Sequence, residues 1–333
     1  MDRRTYKSKP QHLITDPRTG EIKRIVQSAD TDLGTTAQPS NLVVHGTAEN
    51  GNGVSFVDQT SFGLRLSLSA SVPVPNSSIP TGSVLYLAPY TSQRTALLRN
   101  SKWENVEVTS ASLALSGLTS NKNYDVFLYL NAQRIPAIEL SSAWTSDTVR
   151  ADAITRLDGV YVKSLDNTRR FVGTIRATGT TSTSDSTNKR FVWNYYNRVP
   201  RSFFATDSTA SWTYGATSTW RQANTNPGNQ VEIVVGDTSA VEATVSTIIS
   251  NTQASHTRVG IGLDTTTANS AQVSVGYVDV AGAINSSFAH YRTMVTSGKH
   301  SIVWIEFTQN ATATFYGTGI GPHEPGLVGT VMA

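Results

Sequence analysis

The 333-residue chain has no cysteine, which excludes a disulfide framework, a thiolate zinc site and a cysteine nucleophile. Assembly in a reducing compartment is compatible with that absence. Charge is scarce as well: 15% of residues are Asp, Glu, Lys or Arg and 38% are hydrophobic, both below the usual share for soluble domains. No apolar run reaches the ~20 residues of a membrane-spanning helix. The charged N-terminus lacks the apolar stretch of a secretory leader, so no membrane insertion is expected. Heptads and short-period repeats are missing too, which argues against a coiled-coil stalk or a solenoid.

Ser and Thr take up the difference, at roughly a quarter of the chain against their usual share. Thr is β-branched and fits a pleated, half-exposed surface, while Ser fits turns. An all-β fold of modular sandwich or jelly-roll-like domains is expected.

The formal net charge of +3 is uneven, because residues 1–26 hold Arg3, Arg4, Lys7, Lys9, Arg18, Lys23 and Arg24 against Asp2, Asp16 and Glu21. The remainder is close to neutral, which argues against a broad nucleic-acid-binding surface. Pro10, Pro17, Gly20, Gly34 and Pro39 interrupt any periodicity in residues 1–40. This stretch reads as an irregular basic arm that cannot order itself alone and anchors the chain by docking on another protein.

A central domain is expected over residues 41–202 and a C-terminal sandwich over 203–333. In residues 61–70 the alternation places Phe62, Leu64, Leu66 and Leu68 on one face. Residues 113–130 read as two strands around a polar turn, with Leu118 and Tyr124 at a sandwich corner where a Tyr hydroxyl caps a loop. Residues 146–159 are the one short helix expected, with Ser146 as cap, Val149, Ala153 and Leu157 on one face and Gly159 as terminator. Residues 178–188 read as an exposed polar loop at a tip, and 239–250 are ambiguous between strand and helix. The glycine-rich stretch 317–329 reads as a surface loop leading into a final short strand.

Motifs that carry chemistry are missing. His12, His45, His256, His290, His300 and His323 have no metal-ligand spacing. There is no nucleophile elbow, P-loop or calcium loop, and Gly260 and Gly262 suit packing inside a strand. A glycosidase would need two carboxyl groups roughly 5–10 Å apart across a cleft, and the acidic residues are scattered. No catalytic residue, cofactor or metal is assigned, and a non-enzymatic protein is expected.

The densest unusual segment is 189–201 (KRFVWNYYNRVPR). Its exposed rings would suit stacking on bases or sugars or a protein interface, whereas its alternation suits a core strand. A core strand that also serves an interface is the favoured reading, with Phe191, Trp193, Tyr195, Tyr196, Arg198 and Arg201 as interface candidates. In the C-terminal sandwich Trp212, Tyr214 and Trp220 are candidates for contact with a host surface glycan.

Six pieces in order and spacing carry a family resemblance: 86–90 (YLAPY), 117–127 (GLTSNKNYDVF), 144–150 (WTSDTVR), 158–163 (DGVYVK), 169–176 (RRFVGTIR) and 189–201. Together they make residues 82–204 resemble structural proteins of tailed bacteriophages and prophages. The resemblance implies a virion component of tail-fibre, spike or surface-decoration type, and it brings no catalytic residues. It also implies portal, tail or capsid subunits as partners, and a homotrimer. The rival readings are a capsid decoration protein that stabilises the head and a glycan-degrading spike.

Overall fold

The computed structural model describes residues 58–333, apart from 216 and 322, and four earlier strands by their backbone. Those strands form two antiparallel pairs, Gln11–Thr15 with Ile22–Gln27 and Leu42–His45 with Ser55–Asp58. Every regular element among the described residues is a strand, except two three-residue 3-10 turns at Ala223–Thr225 and Thr318–Ile320.

The central part packs two sheets. One has the order Ala111–Ala114, Val84–Pro89, Leu64–Ser67; the other runs Pro136–Leu140, Asn123–Leu130, Asp166–Arg176, Val160–Lys163, Ile154–Leu157. Val192–Asn194 adds to Asp166–Arg176. Phe62, Leu64, Leu66 and Leu68 are buried as their alternation requires, in one cluster with Val126, Leu128, Val172 and Ile175. The Tyr124 hydroxyl accepts the Thr119 N–H at 2.7 Å, which ties the corner as expected.

Two further sheets form the C-terminal sandwich. In the first, Gly298–Thr308 has Thr257–Leu263 on one edge and Gln230–Val235 followed by Trp220–Gln222 on the other. The second runs Pro200–Ala205, Gly326–Met332, Ser239–Asn251, Asn285–Val295, Val273–Val275. Ser239–Asn251, ambiguous by pattern, is a strand because Val241, Ala243, Val245 and Ile249 fall at alternate positions and are all buried. The glycine-rich stretch does end in a strand, Gly326–Met332, but that strand lies inside the sheet with partners on both sides.

The two parts share hydrogen bonds and a core. Lys189–Arg190 runs parallel to Gln230–Val235, pairing Lys189 with Glu232. Thr183–Ser186 and Ile79–Gly82 extend the same sheet. Pro200–Ala205 spans the expected boundary between 202 and 203 and pairs along its length with Gly326–Met332. Phe127, Phe171 and Trp193 lie in one cluster with Val231, Trp304 and Phe315.

Two local expectations are corrected. Residues 146–159 are not a helix: Ile154–Leu157 and Val160–Lys163 form a hairpin around Asp158 and Gly159, with φ of 51° and 84°. Asp-Gly with both residues left-handed is the turn that matches strand twist, and it overrides the weak helical stripe. Ser146 does cap, accepting from Thr148 and Val149 N–H, but it closes a turn. Residues 178–188 are not an exposed tip: Thr183–Ser186 is buried at all four positions, because Asp185 is drawn inside by arginines.

The hairpin gives a direct test. Gly159→Ala should lower unfolding free energy by about 1–2 kcal/mol, the cost of a side chain in the left-handed region. Gly215→Ala, where an added Cβ meets nothing within 4 Å, should be nearly neutral; urea denaturation of both variants measures the difference.

Candidate functional site

The aromatic and basic segment 189–201 lies mostly inside the molecule. Phe191 and Trp193 are 3% and 0% exposed, so as interface anchors they are corrected to core residues. Alternation in a strand covered on both faces buries them. Trp193 donates Nε1–H to Ser239 Oγ at 2.9 Å and to the Met332 carbonyl at 3.2 Å. Tyr195 and Tyr196 are half-buried and meet edge to face at 4.8 Å. Arg198 lies over the Trp193 ring at 5.4 Å and donates to the Thr238 carbonyl.

Arg201 is likewise corrected from surface to interior. It donates to Asp185 Oδ2 at 2.7 Å while Arg190 donates to Asp185 Oδ1 at 2.8 Å. All three side chains are less than 10% exposed. The spare guanidinium N–H groups reach the carbonyls of Ser202 and Pro75, as buried charge requires.

A second buried pair joins the central sheet to the C-terminal sandwich. Arg150 donates to Asp125 Oδ2 at 2.7 Å, stacks on Trp144 at 4.6 Å and also donates to the Gly236 carbonyl. Thr174 Oγ1–H and Trp144 Nε1–H complete the Asp125 shell at 2.8 and 3.2 Å. Arg170, wholly buried, donates to the carbonyls of Gln59, Ala96 and Thr60 and lies over the Tyr196 and Phe62 rings.

The glycan candidates are corrected in the same way. Trp212 and Tyr214 are 8% and 7% exposed because they build a shell around Glu306. Trp212 Nε1–H donates to that carboxylate at 2.6 Å and Arg221 Nε–H at 2.7 Å, with Arg221 lying over Tyr214 at 3.9 Å. Trp220 is half-buried against Phe307, its ring centroid 5.1 Å away. Of the arm residues, Arg3, Arg4, Lys7, Lys9 and Arg18 lie outside the described residues. Lys23 and Arg24 are described by backbone alone, in Ile22–Gln27.

One concave surface was not anticipated. An open groove of about 650 Å³ is lined by Asp147, Gln230, Asp264, Thr265–Thr267, Lys299 and Ser301. Asp264 accepts the Ser301 N–H at 2.7 Å and faces His300 Nδ1 at 2.8 Å, while His300 Nε2 faces the Thr296 carbonyl at 2.9 Å. Two acceptors leave both ring nitrogens donating, so against the downward push of burial these bonds raise the His300 pKa. Against the upward push of burial, the same contact and the Ser301 N–H hold Asp264 below its ordinary value. Lys299 pairs with Glu232 at 2.9 Å and Asp147 with Arg176 at 2.8 Å. The groove is thus a balanced set of donors and acceptors.

Sequence reasoning missed Asp185, Asp125, Glu306 and this groove. Asp125, Glu306 and the groove depend on residues far apart in the chain, Glu306 and Trp212 by 94 positions, whereas Asp185 meets arginines 5 and 16 positions away in a polar stretch that nothing local marks as interior.

No family model and no curated relative matches the chain. Among solved structures it is similar to infectious bursal disease virus, Gx strain, at TM-score 0.24 and 11% identity, over 81% of this chain and 71% of that one. The VP2 subviral particle of the same virus gives TM-score 0.23 and 12% identity, over 81% and 72%. The insecticidal delta-endotoxin Cry8Ea1 of Bacillus thuringiensis gives 0.21 and 9%, over 81% and 52%. With TM-scores well below 0.5, these superpositions transfer neither topology nor activity to this chain.

Two measurements test the buried charges. Asp185→Asn should cost about 3–5 kcal/mol in chemical denaturation, because two buried guanidinium groups lose their counter-charge. Burial pushes the Glu306 carboxyl from 4.5 up to about 7, against the pull of Trp212 and Arg221. Between those values the folded state keeps a proton that the unfolded state has lost. This contribution is therefore full below 4.5 and is lost as pH rises through 7. Glu306→Gln should flatten the wild-type decline between about pH 5 and 7, by up to ~1.4 kcal/mol per pH unit, in urea melts across that range.

Proposed function

We propose that this chain is a structural component of a bacteriophage particle, of fibre or spike type. Its basic arm (residues 1–40) anchors it to portal, tail or capsid subunits, and its C-terminal sandwich points outward. The observation that carries the reading is where the phage-like segments meet. Residues 117–127, 144–150 and 189–201 supply Asp125, Trp144, Arg150, Trp193 and Arg201 to the frame that joins the two parts, and residues 169–176 supply Arg170, which ties the central part to itself. The resemblance is thus carried by residues that make the chain rigid, which suits a component whose task is to hold shape under load.

The reading is non-enzymatic. Burial lifts the carboxyl groups of Glu306 and Asp125, and neither side chain has solvent-facing surface, so neither is a general acid for a bound sugar. For host contact, the reading assigns the polar groove in place of the buried Trp212 and Tyr214. Asp147, Gln230, Asp264 and Thr265–Thr267 offer the fixed donors and acceptors that sugar hydroxyls need.

Electron microscopy of particles labelled with antibody to this chain tests the proposal. Label on the tail or its collar is expected; label spread over the head would favour the decoration protein, and unlabelled particles would overturn both. Deleting residues 1–40 should abolish incorporation while leaving the circular dichroism of the purified chain β-rich.

A further inference from the structure

The second C-terminal sheet has one face in the core and one without a partner among the described residues. Phe203, Ala205, Leu327, Val331, Val241, Ala243, Val245, Ala289 and Tyr291 all point into a single cluster. The side chains between them point out, as period-two alternation requires. On an outer face turned to water these positions would be polar, yet many are apolar. Phe204 is 47% exposed, Val328 53%, Val273 41%, Val275 52%, Phe288 45% and Met294 60%.

The ladder registers place them in rows across the sheet. Phe204 pairs with Val328, Val328 with Thr244, Thr244 with His290 and His290 with Val273, making one transverse row. Two residues along, Phe288 stands between Ser246 and Val275. On the other side comes the single row with full charges, where Glu242 pairs with Arg292, and beyond it Met294 pairs with Ala240.

We infer that this face is the contact by which copies of this chain assemble with one another. Two arguments select a second copy as occupant. The first is charge. Within its strands the face carries one carboxylate beside one guanidinium, with His290 3.9 Å from Glu242, and Glu324 and His323 stand at its end beside Ser246 and Ser286. Such a patch is close to neutral and offers an acidic or a basic partner no net attraction. Another copy supplies an Arg292 for each Glu242 and a Glu242 for each Arg292, so the patch is complementary to itself. The second is size. Five strands at about 4.8 Å and eight residue steps at about 3.3 Å give a footprint of roughly 24 by 26 Å. That is on the order of 600 Å² before side-chain relief is added. That footprint, polar positions included, approaches the ~800 Å² that each partner buries in a standard interface. The inference does not rest on the virion reading.

Light scattering after size exclusion, on the full chain at micromolar concentration, tests it without any variant. A mass that is a multiple of 35.9 kDa is expected. A mass of 35.9 kDa overturns the inference, including the case in which residues 1–57 of the same chain cover the face. Phe204→Asp with Val328→Asp should return the mass to one copy without changing the circular dichroism. Ile135→Asp, at an apolar position 57% exposed outside this sheet, should leave the mass as it was. Glu242→Arg should dissociate the assembly, and Glu242→Arg with Arg292→Glu should restore it. If the face variants keep the wild-type mass, or Ile135→Asp lowers it equally, the assembly lies elsewhere and the inference fails.

Discussion

The guanidinium of Arg150 sits where the central sheet meets the C-terminal sandwich, and the arrangement of both depends on its being paired. Its buried partner Asp125 cannot be left uncompensated away from water, and Arg150 reaches it only with the Trp144 ring and the Gly236 carbonyl in place around the guanidinium. Each comes from a different part of the chain. Satisfying one charge therefore fixes the strand Asn123–Leu130, the turn after Trp144 and the end of Gln230–Val235 relative to one another. Trp193 does the same nearby with an indole N–H, reaching Ser239 and Met332 from the central side.

This chain carries few charges and spends several of them indoors. Asp185 is shared by Arg190 and Arg201, Glu306 is held by Arg221 and Trp212, and Arg170 is sealed beneath aromatic rings. Buried pairs of this kind add little net stability compared with apolar packing, but removing one partner is costly. Their effect is to make wrong registers expensive, which suits long strands of Thr, Ser and Val whose alternation alone would tolerate slippage. Two surfaces among the described residues differ in character: a polar groove with balanced donors and acceptors, and a sheet face with few charges. Neither surface has the electrostatic bias of a nucleic-acid binder.

Errors of sequence reading follow one pattern. Where the local signal was complete, it held: Phe62 to Leu68 alternate and are buried, and Tyr124 caps its corner. Asp158-Gly159 was a stronger hairpin signal than the helical stripe around it, because a left-handed pair of residues has few alternatives. Thr183–Ser186 had no apolar residue to mark it as interior, and it is inside only because arginines from Arg190 and Arg201 need its carboxylate. Trp212 and Tyr214, offered as glycan candidates, are inside because Glu306, far along the chain, takes the Trp212 N–H and draws in Arg221, which Tyr214 covers.

By itself the sequence determined the β-rich class, the missing catalytic motifs, the basic composition of residues 1–26 and the strand-forming runs, since composition and period-two patterning are local properties. Only the tertiary structure decided which charges are buried together, which aromatics line a core and which sheet face is left uncovered. Those outcomes depend on long-range pairing, and a side chain's exposure is set by what the fold lays over it.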